Sequence, residues 1–131
     1  MTYQVNKTEN EWRDILGTRY DILRGAGTER AWTGAMLDEK REGSYLCGAC
    51  GKELFRSGAK FDSGSGWPSF FEAVDPEAVE LKTDKTLGMV RTEVLCANCG
   101  SHLGHLFDDA YQTPTGDRYC MNSAALDFQQ N

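Results

Sequence analysis

Two Cys-x-x-Cys-Gly segments constrain the fold of this chain more than any other feature of its sequence. They are Cys47-Gly-Ala-Cys50-Gly51 and Cys96-Ala-Asn-Cys99-Gly100, and residues 51–95 separate the inner cysteines. Four thiolates complete the tetrahedral shell of one Zn²⁺ ion, with each Zn–S bond about 2.3 Å long. Because no position stays open for water, we predict a structural zinc site that joins two hairpins.

Two alternatives to this zinc site are consistent with the spacing. A single Cys-x-x-Cys pair can serve as a redox dithiol. The Cys99-x-x-His102 spacing would also permit His102 to replace one cysteine as a ligand. We favour four cysteine ligands because a histidine ligand would leave one thiol beside the metal for no gain.

The fifth cysteine, Cys120, is the candidate reactive thiol. On an extended strand Arg118 and Asn122 share its face, so a cation and an amide donor flank the sulfur. Such surroundings favour a thiolate. The alternative is a small buried apolar residue, which these polar neighbours make less favourable.

The histidines of the chain are His102 and His105, in the segment His-Leu-Gly-His. If four cysteines bind the metal, both imidazoles are free for proton transfer or hydrogen bonding. Asp108 and Asp109 follow them, and either orient Arg118 or an imidazole or form a solvated turn.

A Gly-Trp-Pro segment predicts a rigidly held indole. Proline restricts Trp67 to extended geometry, and Phe70 or Phe71 follows closely. Such aromatic side chains can form the wall of an apolar pocket that suits a thioether methyl group. The alternative is that Trp67 packs in the core after a turn. We expect Trp12 and Trp32 to be packing residues of the helical cap.

Length and patterning predict one mainly β domain over residues 1–131, with a helical cap at about 1–26 and a β core at about 27–131. Thr8 and Glu11 form a capping box before a helix that ends near Gly17, and a second helix is predicted at about 18–24. Beyond residue 26, short apolar runs separated by glycine favour antiparallel strands, and the run Asp75–Asp84 reads as an exposed strand and loop.

Composition argues against several classes of function. The net charge of −6 disfavours nucleic-acid binding, and no apolar run is long enough to span a bilayer. The N-terminal segment lacks the apolar stretch of a secretory signal, and an odd cysteine count favours a reducing compartment. We therefore predict a cytoplasmic protein that binds neither nucleic acid nor membrane.

Several motifs in one order resemble the methionine-R-sulfoxide reductases of the MsrB type. The matching segments are Cys47–Gly51, Lys60–Gly64, Gly66–Phe70, His102–His105 and Pro114–Ser123, within about residues 27–128. The resemblance implies two antiparallel β-sheets with short N-terminal helices and a structural zinc remote from the active site. It implies reduction of the R epimer of methionine sulfoxide, free or preferably in proteins.

The resemblance also assigns roles to the candidate residues. Cys120 would be the nucleophile, with Trp67 as the wall for the methyl group and His102, His105 and Asn122 as the polar lining. Asp109 and Arg118 would support them, although the turn that includes Asp109 departs from the usual Gly-Pro-containing pattern of the family.

One further departure concerns regeneration of the thiol. Many relatives carry a resolving cysteine where this chain has Ser65, so the Cys120 sulfenic acid is predicted to be reduced by an external thiol such as thioredoxin. The competing hypotheses are a non-catalytic zinc-ribbon-like binding module and a thiol redox sensor. The first requires a buried, unreactive Cys120, and the second does not need Trp67 or the histidines.

Overall fold

The computed structural model describes residues 3–85 and 88–131, so Met1 and Thr2 of the predicted cap lie outside the described residues. Two short α-helices come first: α1 (Glu9–Leu16) and α2 (Tyr20–Leu23). The strands that follow are β1 (Gly43–Cys47), β2 (Glu53–Arg56), β3 (Lys60–Phe61), β4 (Ser69–Phe70), β5 (Val79–Asp84), β6 (Arg91–Cys96), β7 (His102–Ala110), β8 (Gly116–Met121) and β9 (Leu126–Gln130).

The N-terminal helices begin and end where local sequence predicts. The Thr8 hydroxyl accepts the Glu11 N–H at 3.2 Å, and the Glu11 carboxylate accepts the Thr8 N–H at 2.9 Å. This capping box satisfies two backbone donors that the first helical turn leaves open. Gly17 then ends α1 with φ +55°, and α2 follows after one turn of 3₁₀-helix.

The strands form two antiparallel sheets, as predicted. One has three strands in the order β2-β1-β9, and the other has six in the order β3-β4-β8-β7-β6-β5. The run Asp75–Asp84 forms a 3₁₀ turn followed by strand β5 at the edge of the larger sheet. Within the described residues, no helix combines the length and apolar character needed to cross a membrane.

Aromatic side chains from both sheets pack together in the core. Phe55 on β2 stacks on Phe70 of β4 with ring centroids 4.5 Å apart, and Tyr45 on β1 meets Phe70 edge-on at 4.9 Å. All three rings are fully buried. The core therefore lies between the two sheets and holds β4 and its neighbour β8 in place.

The two tryptophans expected to pack in the cap differ in burial. Trp12 is fully buried, because it shares the inner face of α1 with Leu16. Trp32 is 65% exposed. It lies in an irregular segment, where its φ is +70° and its backbone N–H donates to the Gly66 carbonyl. The prediction is confirmed for Trp12 and wrong for Trp32.

Candidate active site and candidate metal centre

The four cysteines of the two Cys-x-x-Cys pairs meet at one point between the sheets. Cys47 and Cys96 end β1 and β6, and the turns after these strands supply Cys50 and Cys99. All four sulfurs lie within 4.8 Å of one another, with 3.7 Å between Cys47 and Cys99 and 3.6 Å between Cys50 and Cys96. A tetrahedron with metal–sulfur bonds of 2.3 Å has edges of about 3.8 Å, so this cluster fits a bound metal ion.

The turns that carry the cysteines are shaped by a glycine at the end of each pair. Gly51 and Gly100 have φ of +80° and +77°, which other residues rarely adopt. Each glycine N–H donates to the carbonyl of the first cysteine of its pair, at 2.8 Å for Cys47 and 2.7 Å for Cys96. The turns therefore fold back and bring the two sulfurs of a pair to one side.

The candidate reactive thiol lies in the larger sheet. Strand β8 is flanked by β4 and β7, and Cys120 pairs with Ser69 on one side and His105 on the other. It borders a cavity of about 190 Å³, whose walls come from residues Thr28, Ser65, Trp67, Arg91, Gly104, His105, Phe107, Arg118, Cys120 and Asn122. Cys120 is thus half-buried in the wall of this cavity. The four clustered cysteines lie elsewhere, at the ends of β1 and β6 and in the turns that follow them.

Burial sets the protonation of this thiol. It raises the pKa of Cys120, while the Arg118 guanidinium and the Ser65 hydroxyl act in the opposite direction and lower it. The net shift of the Cys120 pKa is upward. The prediction of a thiolate is therefore wrong for the protein without a bound substrate. Local sequence shows the flanking cation but not the depth at which the strand lies.

Arg118 is held by an aspartate on the neighbouring strand. Its Nε and Nη2 donate to the two carboxylate oxygens of Asp109 at 2.9 and 3.0 Å, and its guanidinium lies 4.4 Å above the Phe107 ring. This pairing lowers the pKa of Asp109 and raises that of Arg118. Asp109 therefore orients Arg118 and does not itself border the cavity.

The two imidazoles occupy different positions relative to the cavity. His105 lines the cavity and is the partner of Cys120 in the pairing of β7 with β8. His102 is buried and does not line the cavity, and the centroids of the two imidazole rings lie 5.4 Å apart. The Nδ1 atom of His102 lies 2.6 Å from the Glu93 carboxylate, and burial lowers the pKa of His102 although this carboxylate opposes the shift. His105 is accordingly the imidazole placed to act in the cavity.

A carboxylate and an arginine near His105 were not predicted from the sequence. Asp84 at the end of β5 lies 2.9 Å from His105 Nε2 and 3.2 Å from Arg91 Nη2. Arg91 lines the cavity at the start of β6. The alternation of Arg91 and Glu93 along β6 was a signal, because polar side chains that share one face of a strand beside the histidines indicate a polar site.

Asn122 and Trp67 are both tied to the segment that follows α2. The Asn122 amide donates to the Gly27 and Leu103 carbonyls at 3.3 and 3.2 Å and accepts the Glu29 N–H at 2.9 Å. The Trp67 indole N–H donates to the Glu29 carbonyl at 3.0 Å. The backbone of Glu29 thus links the indole to the amide, a role that local sequence did not reveal.

Ser65 lies close to the candidate reactive thiol of Cys120, and Phe70 does not. The Ser65 hydroxyl oxygen is 4.0 Å from the Cys120 sulfur and lines the same cavity. Phe70 points to the opposite face of β4 and packs between Tyr45 and Phe55. This placement corrects the prediction that Phe70 binds the substrate, because side chains alternate across a strand and Ser69 takes the cavity side.

Comparison with known proteins assigns the family. The SelR domain matches residues 16–130, and the chain belongs to this family. Three relatives named peptide methionine sulfoxide reductase MsrB come from Leifsonia xyli (66% identical over 97% of this chain and 92% of theirs), Synechococcus sp. (57%, 95% and 92%) and Thiobacillus denitrificans (57%, 98% and 97%). The predicted family is thereby confirmed, and with it an oxidoreductase class.

Proposed function

We propose that this protein reduces methionine R-sulfoxide, preferably within polypeptides, through the Cys120 thiol. The observation that carries the proposal is the single cavity shared by Cys120, His105, Trp67 and Arg118. A thiol, an imidazole and an indole are the groups that a sulfoxide with a methyl substituent requires: a nucleophile, a proton source and an apolar wall. The names of the close relatives agree with this activity.

In the first step the Cys120 sulfur attacks the sulfoxide sulfur and forms a sulfur–sulfur bond, while the substrate oxygen is protonated and leaves as water. Water then attacks the Cys120 sulfur, the sulfur–sulfur bond breaks, methionine leaves, and Cys120 remains as a sulfenic acid, so two electrons pass from the cysteine to the substrate. Protonation of the oxygen assists this step, because oxide is a poor leaving group. His105, which borders the cavity, is the proposed donor, and His102 and Asn122 complete the polar surroundings.

The raised pKa of Cys120 agrees with this sequence of events. A buried thiol holds its own proton at neutral pH, so proton loss from sulfur and proton gain by the sulfoxide oxygen can be coupled within the cavity. Arg118, held by Asp109, then stabilises the thiolate as it forms.

Regeneration requires an external thiol such as thioredoxin. Two thiols reduce the sulfenic acid, forming one disulfide and one water and restoring the Cys120 thiol. The other four cysteines lie together in the cysteine cluster, and a serine occupies position 65 beside Cys120. Neither arrangement offers Cys120 a thiol partner within the chain. A reducing compartment such as the cytoplasm supplies such a thiol.

We propose that the cysteine cluster binds one structural zinc ion through Cys47, Cys50, Cys96 and Cys99. The bound ion would clamp the ends of β1 and β6 together and take no part in the reaction. The Asn98 amide donates to the Cys50 sulfur at 3.3 Å, and the Ala49 N–H donates to the Cys47 sulfur at 3.4 Å. Such donors stabilise the negative charge of thiolate ligands.

Dithiothreitol-driven turnover of resolved methionine sulfoxide epimers tests the activity. We expect reduction of the R epimer and none of the S epimer, and loss of activity by more than about a thousandfold in Cys120→Ser. Activity of Cys120→Ser within tenfold of the parent would contradict the assignment. Mass spectrometry after one turnover without reductant should show one added oxygen on Cys120, and an intramolecular disulfide would contradict regeneration by external thiols.

A further inference from the structure

One residue that does not line the cavity of Cys120 is bonded to two residues that do. The backbone N–H of Glu29 donates to the side-chain oxygen of Asn122 at 2.9 Å, and the Glu29 carbonyl accepts the Trp67 indole N–H at 3.0 Å. Asn122 and Trp67 both border the cavity. The backbone of Glu29 therefore sets the place of an amide and an indole in the cavity wall.

The Glu29 carboxylate fixes this backbone to the 3₁₀ turn Ser123–Ala125, which follows β8. Its Oε1 accepts the Ala124 N–H at 2.9 Å, two residues after Asn122. Glu29 thus contacts the chain at two points on this turn, one through its backbone and one through its side chain. Without the carboxylate, only the Asn122 amide would join the segment around Glu29 to this part of the chain.

The carboxylate is also packed closely. A Cβ added at Gly34 would lie 2.3 Å from the Glu29 Oε2 atom and 2.1 Å from the Ser123 hydroxyl oxygen, so only glycine fits between them. Oε2 is buried, and no described residue donates a hydrogen bond to it. Because burial of a carboxylate oxygen costs free energy, positioning accounts for this side chain better than stability does.

The indole bonded to Glu29 is the proposed wall for the methyl group of the substrate. The N–H···O bond fixes the direction of the indole N–H, and with it the orientation of the ring. In an apolar pocket of fixed shape, one additional methylene group changes kcat/KM by about tenfold to 200-fold. A wall that is free to tilt accepts larger alkyl groups and loses this discrimination.

We propose that Glu29 is a positioning residue, whose carboxylate holds the Trp67 indole where it admits a methyl group and excludes a larger one. Glu29 acts through its backbone contacts with Trp67 and Asn122 and does not touch the substrate. The acceptor oxygen, and not the negative charge, is what the anchor to Ala124 requires. This inference rests on the proposed function and deepens it, because it assigns the selection of the alkyl group.

Steady-state kinetics with methionine R-sulfoxide and ethionine R-sulfoxide test the proposal, since the two substrates differ by one methylene group. We expect the parent to favour methionine R-sulfoxide in kcat/KM. Glu29→Ala removes the anchor and should lower this preference by about threefold to tenfold. Glu29→Gln keeps an oxygen that accepts the Ala124 N–H and should recover the preference to within about twofold of the parent.

A matched control separates positioning from a general loss of stability. Glu80→Ala removes a carboxylate that accepts the Tyr3 hydroxyl at 2.5 Å and does not line the cavity, so it should leave the preference unchanged. Glu29→Asp shortens the side chain by one methylene and withdraws the carboxylate from Ala124. It serves in place of Glu29→Ala if that variant does not fold.

An NMR measurement on nitrogen-labelled protein tests the same contact without turnover. The indole N–H resonance of Trp67, assigned by its loss in Trp67→Phe, should move in Glu29→Ala and stay in place in Glu29→Gln and Glu80→Ala. A resonance that does not move in Glu29→Ala would overturn the proposal, because the indole would then keep its place without the carboxylate.

The kinetic outcomes distinguish failure of this inference from failure of the proposed function. Equal kcat/KM values for the two sulfoxides in the parent, equal losses for both in Glu29→Ala, or the same change of preference in Glu80→Ala would overturn the role of Glu29 while reduction of methionine R-sulfoxide continued. If the parent reduces neither sulfoxide, the proposed function fails, and the Trp67 resonance alone decides whether Glu29 positions the indole.

Discussion

The five cysteines of this chain occupy two environments that differ in how many sulfurs are present. In the cluster, four sulfurs approach within 4.8 Å of one another, and three of the four residues are buried. Cys120 has a serine hydroxyl at 4.0 Å and a cavity at its side. The same functional group is thus placed to hold a metal in one region and to meet a substrate in the other.

The surrounding donors make the same distinction. Around the cluster, backbone and amide N–H groups point at sulfur, as suits thiolates that remain charged. Around Cys120, burial raises the pKa of the thiol, and one cation, Arg118, opposes it. A cysteine that must gain and lose a proton benefits from this balance, whereas a structural ligand does not.

Removal of the proposed zinc ion should have the largest effect, and of the cysteines only those in the cluster should be needed for stability. Structural zinc contributes on the order of 10 kcal/mol to folding, comparable to the whole stability of a small domain. We expect Cys96→Ser, or exposure to a strong chelator, to abolish cooperative unfolding measured by circular dichroism. The matched change Cys120→Ser should alter the free energy of unfolding by less than about 1 kcal/mol. Similar stability losses in both variants would contradict the division into two environments.

A second sulfur beside Cys120 should change the oxidised product completely. Ser65→Cys places a thiol where a hydroxyl oxygen lies 4.0 Å from the Cys120 sulfur, and a shift of about 2 Å brings the sulfurs to bonding distance. After one turnover without reductant, we expect an intramolecular disulfide in this variant and a sulfenic acid in the parent. Mass spectrometry separates loss of two hydrogens from gain of one oxygen.

Ser63→Cys is the matched control for this experiment. Its hydroxyl contacts Ser65 in the same loop and Ser69 at the start of β4, but Ser63 does not line the cavity of Cys120. A disulfide in the control but not in Ser65→Cys would show that the loop does not hold position 65 beside the reactive thiol.

The carboxylates that pair with the two imidazoles should differ in their effects on activity. Asp84→Asn removes the acceptor of the cavity-facing His105, and we expect kcat to fall by about tenfold to a hundredfold, part of what a positioned acid contributes.

Glu93→Gln provides the comparison, since it changes the same kind of pair at the buried His102. We expect a smaller fall in kcat than in Asp84→Asn, because His102 does not line the cavity. A larger effect in Glu93→Gln than in Asp84→Asn would identify His102 as the proton donor and contradict the role proposed for His105.

The sequence predicts well those features that are specified by neighbouring residues, and also the metal site, for which four cysteines supply a complete set of ligands. The capping box at Thr8 and the two cysteine turns are each specified within a few residues, so α1 and the cluster followed directly from their patterns. The roles of Asp84 and Glu93 depend on how β5, β6 and β7 pair, and a register shift between Val94 and Leu95 alters that pairing. A bulge of this kind has no clear local signal.

The errors also have a physical cause in the tertiary arrangement. Phe70 follows Trp67 closely, but the alternation of β4 turns its ring to the core and leaves Ser69 on the other face. The burial that raises the pKa of Cys120 comes from neighbouring strands distant in sequence. Sequence therefore pointed to Cys120 as the candidate reactive residue but did not indicate the protonation of its thiol.

The protonation of Cys120 provides the last and smallest expected effect. Because burial raises the pKa of Cys120, the thiolate fraction is small at neutral pH and grows as pH rises, so alkylation by iodoacetamide should accelerate with pH beyond the range of an ordinary thiol. Arg118→Gln removes the cation that lowers this pKa, so the midpoint of the alkylation profile should move further upward and the rate at pH 7.5 should fall by less than about tenfold. Arg56→Gln, which breaks a surface pair with Glu53, should leave the profile unchanged. A midpoint that moves downward in Arg118→Gln would show that Arg118 does not stabilise the thiolate, and the electrostatic difference between the two cysteine environments would then rest on burial alone.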